Sequence, residues 1–167
     1  LGRLANLRLK VSAEDLEKVW SMLHLLNMEH LAERSFYALS GGQRRLIGVA
    51  QTLVREPKVL IMDEPTANLD MQHELEVMEL IQAYTQQKKA ATILTLHDLN
   101  MAARYANKMV LLKDGAVYCE GSSGEVITEE AVKLAYGVRV EIQSDAHGVS
   151  VLRPIGPVCS ADYRFTK

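Results

Sequence analysis

Leu16, Val19, Trp20, Leu23 and Leu26 recur at the three-and-four spacing of one helical face. Ser12 stands ahead of them as a cap, with Asp15 three positions on to return the bond. Met28 to Leu39 is mixed and predicts a short helix and a turn. Ser40 opens the next helix with Gln43 at capping-box spacing, and Leu46, Val49, Ala50, Leu53 and Val54 form its buried stripe. Pro57 ends it, because the residue before a proline is pushed out of helical geometry. The run Val59-Leu60-Ile61-Met62 predicts a strand buried on both faces.

Asp70 caps a helix carrying Leu75, Met78, Ile81 and Tyr84, with Lys88 and Lys89 solvated at its end. Thr92 to Leu96 is a second buried strand, and Asp98 caps a helix through Tyr105. Met109 to Leu112 and Ala116 to Cys119 flank Lys113-Asp114-Gly115, a hairpin signal. Ser123 to Tyr136 predicts a helix, and Val138 to Ile142 with Val149 to Leu152 predicts a hairpin across Ala146-His147-Gly148. The tail from Pro154 to Lys167 shows no periodicity and is expected to be loose. Strands alternating with helices argue for an α/β fold around a mostly parallel sheet.

At 167 residues the chain has the size of one domain. A net charge of −2, from 19 Lys and Arg against 21 Asp and Glu, provides no basic face and disfavours nucleic acid as a direct partner. No apolar run approaches a bilayer-spanning length, and Leu1 to Lys10 carries no continuous apolar core of a signal peptide. Cys119 and Cys159 have neither metal nor disulfide spacing, which predicts reduced thiols and suits the cytosol. A first residue of Leu rather than Met predicts a piece of a longer protein.

Two segments point to phosphate chemistry. In Leu39-Ser40-Gly41-Gly42-Gln43 a glycine pair opens a helix, where backbone N–H groups and the helix dipole favour an anion and no Cβ blocks its approach. The plain alternative is a capping box with glycines in a turn. Twenty residues on, Asp63-Glu64-Pro65 ends the apolar run. One carboxylate can meet a metal through water while the other acts as general base; a plain strand exit is the competing reading. His97, where a buried strand meets a capped helix, stands at the edge where open α/β sheets bind ligands, suited to a phosphate oxygen or an attacking water. His24, His30, His73 and His147 read as surface or core, and Arg44 and Arg45 as a solvated helix face, with contact of one of them to phosphate as the lesser alternative. No Gly-x-x-x-x-Gly-Lys-Ser/Thr phosphate loop occurs.

In order and spacing these elements resemble the ATP-binding subunit of an ABC transporter, over roughly Leu1 to Ile142. Leu39 to Gln43 resembles that family's signature motif, Val59 to Glu64 its Walker B strand with the catalytic glutamate, Ala67-Asn68-Leu69-Asp70 its D-loop, and His97 its switch histidine. Leu96 to Asn100 with Ala102 to Ala106 is similar to the importers of iron-siderophores, haem or vitamin B12; Leu1-Gly2-Arg3 and Ala135 to Val138 fit the same class. The resemblance implies the C-terminal portion of a P-loop NTPase (RecA-like) core. Residues 1–54 would be helical subdomain and signature helix, 55–121 partial core, and 143–167 a C-terminal hairpin and tail.

It also implies two subunits sandwiching two ATP molecules on permease subunits at the cytoplasmic face of the membrane. Ser40, Gly41, Gly42 and Gln43 would meet the γ-phosphate bound to the partner, with Asp70 beside the nucleotide. Serving a phosphate held on their own chain and not the site that Ser40 to Gln43 enter, Asp63 would hold Mg²⁺ and Glu64 would polarise water, and His97 would sense the γ-phosphate.

The departures carry expectations of their own. The phosphate loop, the stacking aromatic before it and the Q-loop glutamine are missing, and Leu46 stands where the family often has Arg or another polar residue. The family's phosphate-loop strand lies between the strand before His97 and the Met109 strand. Its loss is expected to leave unpaired buried backbone groups at about 1–3 kcal/mol each. The chain alone is therefore expected to be rearranged, completed by another chain or poorly stable, and to hydrolyse little or no ATP. A soluble ABC-type ATPase acting on nucleic acid or ribosomes, and a non-catalytic fragment that pairs with intact subunits, are the other readings.

Overall fold

The computed structural model describes residues 12–146 and 148–159. Leu1-Gly2-Arg3, His147 and the end of the tail lie outside the described residues. The chain divides into two compact units, Leu1–Thr95 and Leu96–Lys167.

In the first unit, α1 (Ala13–Leu25) begins at Ser12, whose hydroxyl accepts the Asp15 N–H at 3.1 Å and donates to the Asp15 carboxylate at 2.7 Å. Its apolar face is only partly used: Met22 and Leu23, with Leu26 just beyond, pack on the core, while Leu16 and Trp20 remain about half exposed. Two 3₁₀ turns, Glu29–Leu31 and Phe36–Ala38, fill the mixed segment. Next, α2 (Gly41–Leu53) packs on α3 (Met71–Lys88) through the expected stripe of Leu46, Val49, Ala50 and Leu53. Leu46 is 1% exposed, so an apolar side chain suits this position. The helix ends at Leu53, ahead of Pro57, and Glu56 turns the chain with φ +51. From α3 come Val77, Met78, Leu80, Ile81 and Tyr84; the Tyr84 hydroxyl donates to the Pro57 carbonyl at 2.9 Å, and burial pushes its pKa up.

Strands β1 (Val59–Asp63) and β2 (Ala91–Thr95) pair in parallel, Val59 opposite Ala91 and Asp63 opposite Thr95, with α3 as the connection. The expectation of strands buried on both faces fails here. Leu60 is buried, but Val59, Ile61 and Ile93 are more than half exposed. One face of the pair rests on the core and the other has no layer over it among the described residues.

In the second unit, α4 (Leu99–Tyr105) is followed by β3 (Met109–Lys113) and β4 (Ala116–Gly121). They turn on Asp114 and Gly115, both with positive φ as a tight hairpin requires. The expected single helix over 123–136 is two, α5 (Ser123–Val126) and α6 (Glu129–Tyr136). Each has its own cap: Ser122 forms a capping box with Glu125, and Thr128 accepts the Ala131 N–H at 3.1 Å. Strands β5 (Val138–Ser144) and β6 (Ser150–Pro157) make the expected hairpin, but β6 continues through Pro154 to Pro157, so this part of the tail is not loose. Ala103, Met109, Leu111, Val126, Ile127, Ala131, Val132 and Val140 form this unit's core.

Among the described residues the strands lie in three two-stranded sheets. Of these, β1 and β2, joined by a helix, run parallel; the other two pairs are hairpins and hence antiparallel. The mostly parallel sheet expected from the alternation does not form among the described residues.

Candidate functional site

The first unit carries both phosphate-directed segments. Ser40 is extended (φ −63, ψ 165), its hydroxyl accepts the Gln43 N–H at 3.2 Å, and the Gln43 side-chain oxygen accepts the Ser40 N–H at 3.1 Å. The Gly41 and Gly42 amides, in the first helical turn, have no acceptor within the helix and lie at its positive end. The two glycines differ. A Cβ at Gly41 would meet nothing within 4 Å, whereas one at Gly42 would come within 2.6 Å of the His73 ring. Glycine at 42 is thus needed by the chain itself, and the open approach expected for both belongs to Gly41.

His73 is held by Asp70. That carboxylate caps α3, accepting the His73 N–H at 3.0 Å and the ring Nδ1 at 2.8 Å. Both bonds favour the ionised form and lower the Asp70 pKa. The residue expected beside a nucleotide and the glycine turn are therefore joined through one imidazole.

Asp63 ends β1 and Glu64 follows it outside the strand, with φ +44. A non-glycine residue in that left-handed region costs on the order of 1–3 kcal/mol unless its surroundings hold it. Two side chains hold it here. Thr95 Oγ1, opposite Asp63, accepts the Glu64 N–H at 2.9 Å and donates to Asp63 Oδ1. From α2, Arg45 donates to the Pro65 carbonyl at 2.7 Å and to the Glu64 carbonyl. The reading of Arg45 as a solvated face is corrected: it is half-buried and ties the helix of the glycine turn to the carboxylate loop. Within that loop the Ala67 N–H returns to the Glu64 carbonyl at 3.1 Å and Asn68 has φ +61.

His97 lies in the second unit, exposed, one residue before Asp98. Asp98 caps α4 by accepting the Asn100 and Met101 N–H groups at 2.7 and 3.1 Å. Asn100 then pairs its amide with the Leu152 backbone, accepting at 2.7 Å and donating at 3.1 Å, which fixes α4 to β6. Among the described residues no group of three or more His, Cys, Asp or Glu is arranged to hold a metal by itself, and no helix is long and apolar enough to cross a membrane.

Sequence reasoning missed Arg45, His73, Thr95 and Asn100 as parts of this framework. Arg45 had a faint signal, standing four residues before Val49 at the edge of the buried stripe. Thr95 had none, since its partners are 31 and 32 residues away.

Residues 4–67 match the model of the ABC transporter family. An ABC transporter ATP-binding protein of Methanocaldococcus jannaschii is 43% identical over 156 residues, 93% of this chain and 61% of that protein. The ferric enterobactin transport ATP-binding protein of Escherichia coli is 35% identical over 144 residues, 86% of this chain and 53% of that protein. A solved metal-chelate type ABC transporter in an inward-facing conformation superposes with a TM-score of 0.78 at 28% identity, over 90% of this chain and 61% of that one. The chain thus spans roughly half to three-fifths of the length of these relatives.

Proposed function

Because the chain belongs to the ABC transporter ATP-binding family, we propose that it is part of the ATP-hydrolysing, energy-coupling subunit of an importer for an iron-siderophore, haem or cobalamin. The Escherichia coli relative, named for ferric enterobactin, supports the cargo class. The observation that carries this reading is the Arg45 tie, which couples the glycine turn, directed at a partner's nucleotide, to the carboxylate loop, which serves a nucleotide on its own subunit.

In this reading Ser40, Gly41, Gly42 and Gln43 offer their donors to the γ-phosphate of ATP held on a second ATP-binding subunit, with Asp70 at the same junction. At the separate nucleotide held on its own subunit, Glu64 takes a proton from the attacking water, whose oxygen bonds to the γ-phosphorus as the bond to the ADP oxygen breaks. His97 contacts the γ-phosphate. Asp63 fits Mg²⁺ by its chemistry: a hard oxygen donor at a strand end suits an ion that takes one or two carboxylates and shares the rest with phosphate. When bound, Mg²⁺ would neutralise phosphate charge. The subunit would sit on permease subunits at the cytoplasmic face of the membrane. With no phosphate loop in its 167 residues, the chain alone is expected to hydrolyse little or no ATP.

Phosphate release from MgATP, measured for the chain alone and for the polypeptide containing it bound to its permease, tests this. Release confined to the permease-bound assembly is expected. Release driven by RNA or ribosomes instead would identify a soluble ATPase, and none in any assembly would point to a non-catalytic interaction protein.

A further inference from the structure

We propose that Thr95 is a positioning residue for both carboxylates of the hydrolytic site, an inference that rests on the roles given above to Asp63 and Glu64. Thr95 closes β2 opposite Asp63 in the parallel register. A hydroxyl has one hydrogen to give and two lone pairs to receive. Here the hydrogen goes to Asp63 Oδ1 and a lone pair takes the Glu64 N–H at 2.9 Å. One side chain therefore sets the rotation of the Asp63 carboxylate and fixes the peptide that leads into Glu64.

The sheet cannot do this. The ladder of β1 ends at Asp63, so Glu64 has no register partner, and its φ of +44 is a conformation that a residue with a side chain keeps only when neighbours impose it. The far side of Glu64 is held by Arg45, which donates to its carbonyl and, at 2.7 Å, to that of Pro65. With the N–H held by Thr95 and the C=O by Arg45, the Cα–Cβ direction of Glu64 is fixed, and with it the arc its carboxylate can sweep. A general base acts only within hydrogen-bond reach of the proton it takes, and a misplacement of about 1 Å can cost about 100-fold. Serine at 95 keeps the hydroxyl; valine keeps the shape and loses both bonds.

The test pairs Thr95→Val with Thr95→Ser and uses two readouts. On the chain as it stands, amide exchange at Glu64 is followed with Val77 as the global control. Exchange about tenfold faster in Thr95→Val, with Thr95→Ser like the parent and Val77 unchanged, is expected. Equal exchange at Glu64 in all three overturns the brace. If Thr95→Val fails to fold, Thr95→Ala is compared with the parent in the same way, and unaltered Glu64 exchange there overturns it equally. In the permease-bound assembly, Thr95→Val is expected to lower kcat about tenfold or more with KM for ATP within about twofold, and Thr95→Ser to restore it. An unchanged kcat overturns the positioning role. Absence of hydrolysis by the parent assembly would instead refute the ATPase reading, while exchange at Glu64 still decides the brace.

Discussion

The imidazole of His73 lies against the α-carbon of Gly42, so close that a β-carbon there would come within 2.6 Å of two ring atoms. Gly42→Ala should therefore force the ring or the helix start to move, destabilising the first unit by about 1–3 kcal/mol in denaturant unfolding. His73→Ala in the same chain should recover most of that loss. Gly41→Ala, with open space around it, should change stability by about 0.5 kcal/mol or less. Any loss of ATP turnover in Gly41→Ala would then report on the phosphate and not on folding.

Leu46 and Leu53 are each 1% exposed in the core of the first unit. Leu46→Ala and Leu53→Ala should each cost about 2–5 kcal/mol, read as a shift of the unfolding midpoint. Leu46→Arg should be at least as damaging, since this core has closed over the position.

Two caps make stability depend on pH. Asp70 is lowered first by the His73 N–H and then by its ring, and Glu125 by the backbone N–H and then the hydroxyl of Ser122. A depressed carboxylate contributes stability above its unfolded pKa of about 4 and loses it as pH falls through the lower folded value. Stability should therefore be flat above about pH 5 and decline below about pH 4. Asp70→Asn should shallow that decline in acid titrations followed by circular dichroism, and an unchanged slope would contradict the role given to Asp70.

How much of this was legible depended on distance along the chain. Ser40 with Gln43, Asp70, Asp98 and the Asp114-Gly115 turn were readable because each acts on residues two to four positions away. The break between α5 and α6 is hidden because Ile127 lies at helical spacing from Ala131, Leu134 and Ala135, although Thr128 is itself a cap. The brace at Glu64 was invisible: Thr95 and Arg45 reach it across 31 and 19 residues, and no local spacing encodes such a contact. The run from Val59 to Met62 was misread for another reason. An apolar run reports what a strand needs, and here only the Leu60 side is covered by the described residues.

That open face yields its own prediction. Val59, Ile61 and Ile93 form an exposed apolar patch on a parallel pair, an arrangement that normally has both faces covered. Ile61→Thr and Ile93→Thr should alter unfolding by no more than about 0.5 kcal/mol each, while reducing self-association in sedimentation velocity. Unchanged association would mean that the patch is not what drives it.

Everything proposed for this chain converges on Glu64 as the base that activates water. The most direct measurement is phosphate release by the permease-bound assembly carrying Glu64→Gln, with bound ATP quantified in the same samples. Turnover is expected to fall by about 100-fold or more with ATP still retained. Turnover close to that of the parent assembly would contradict that role.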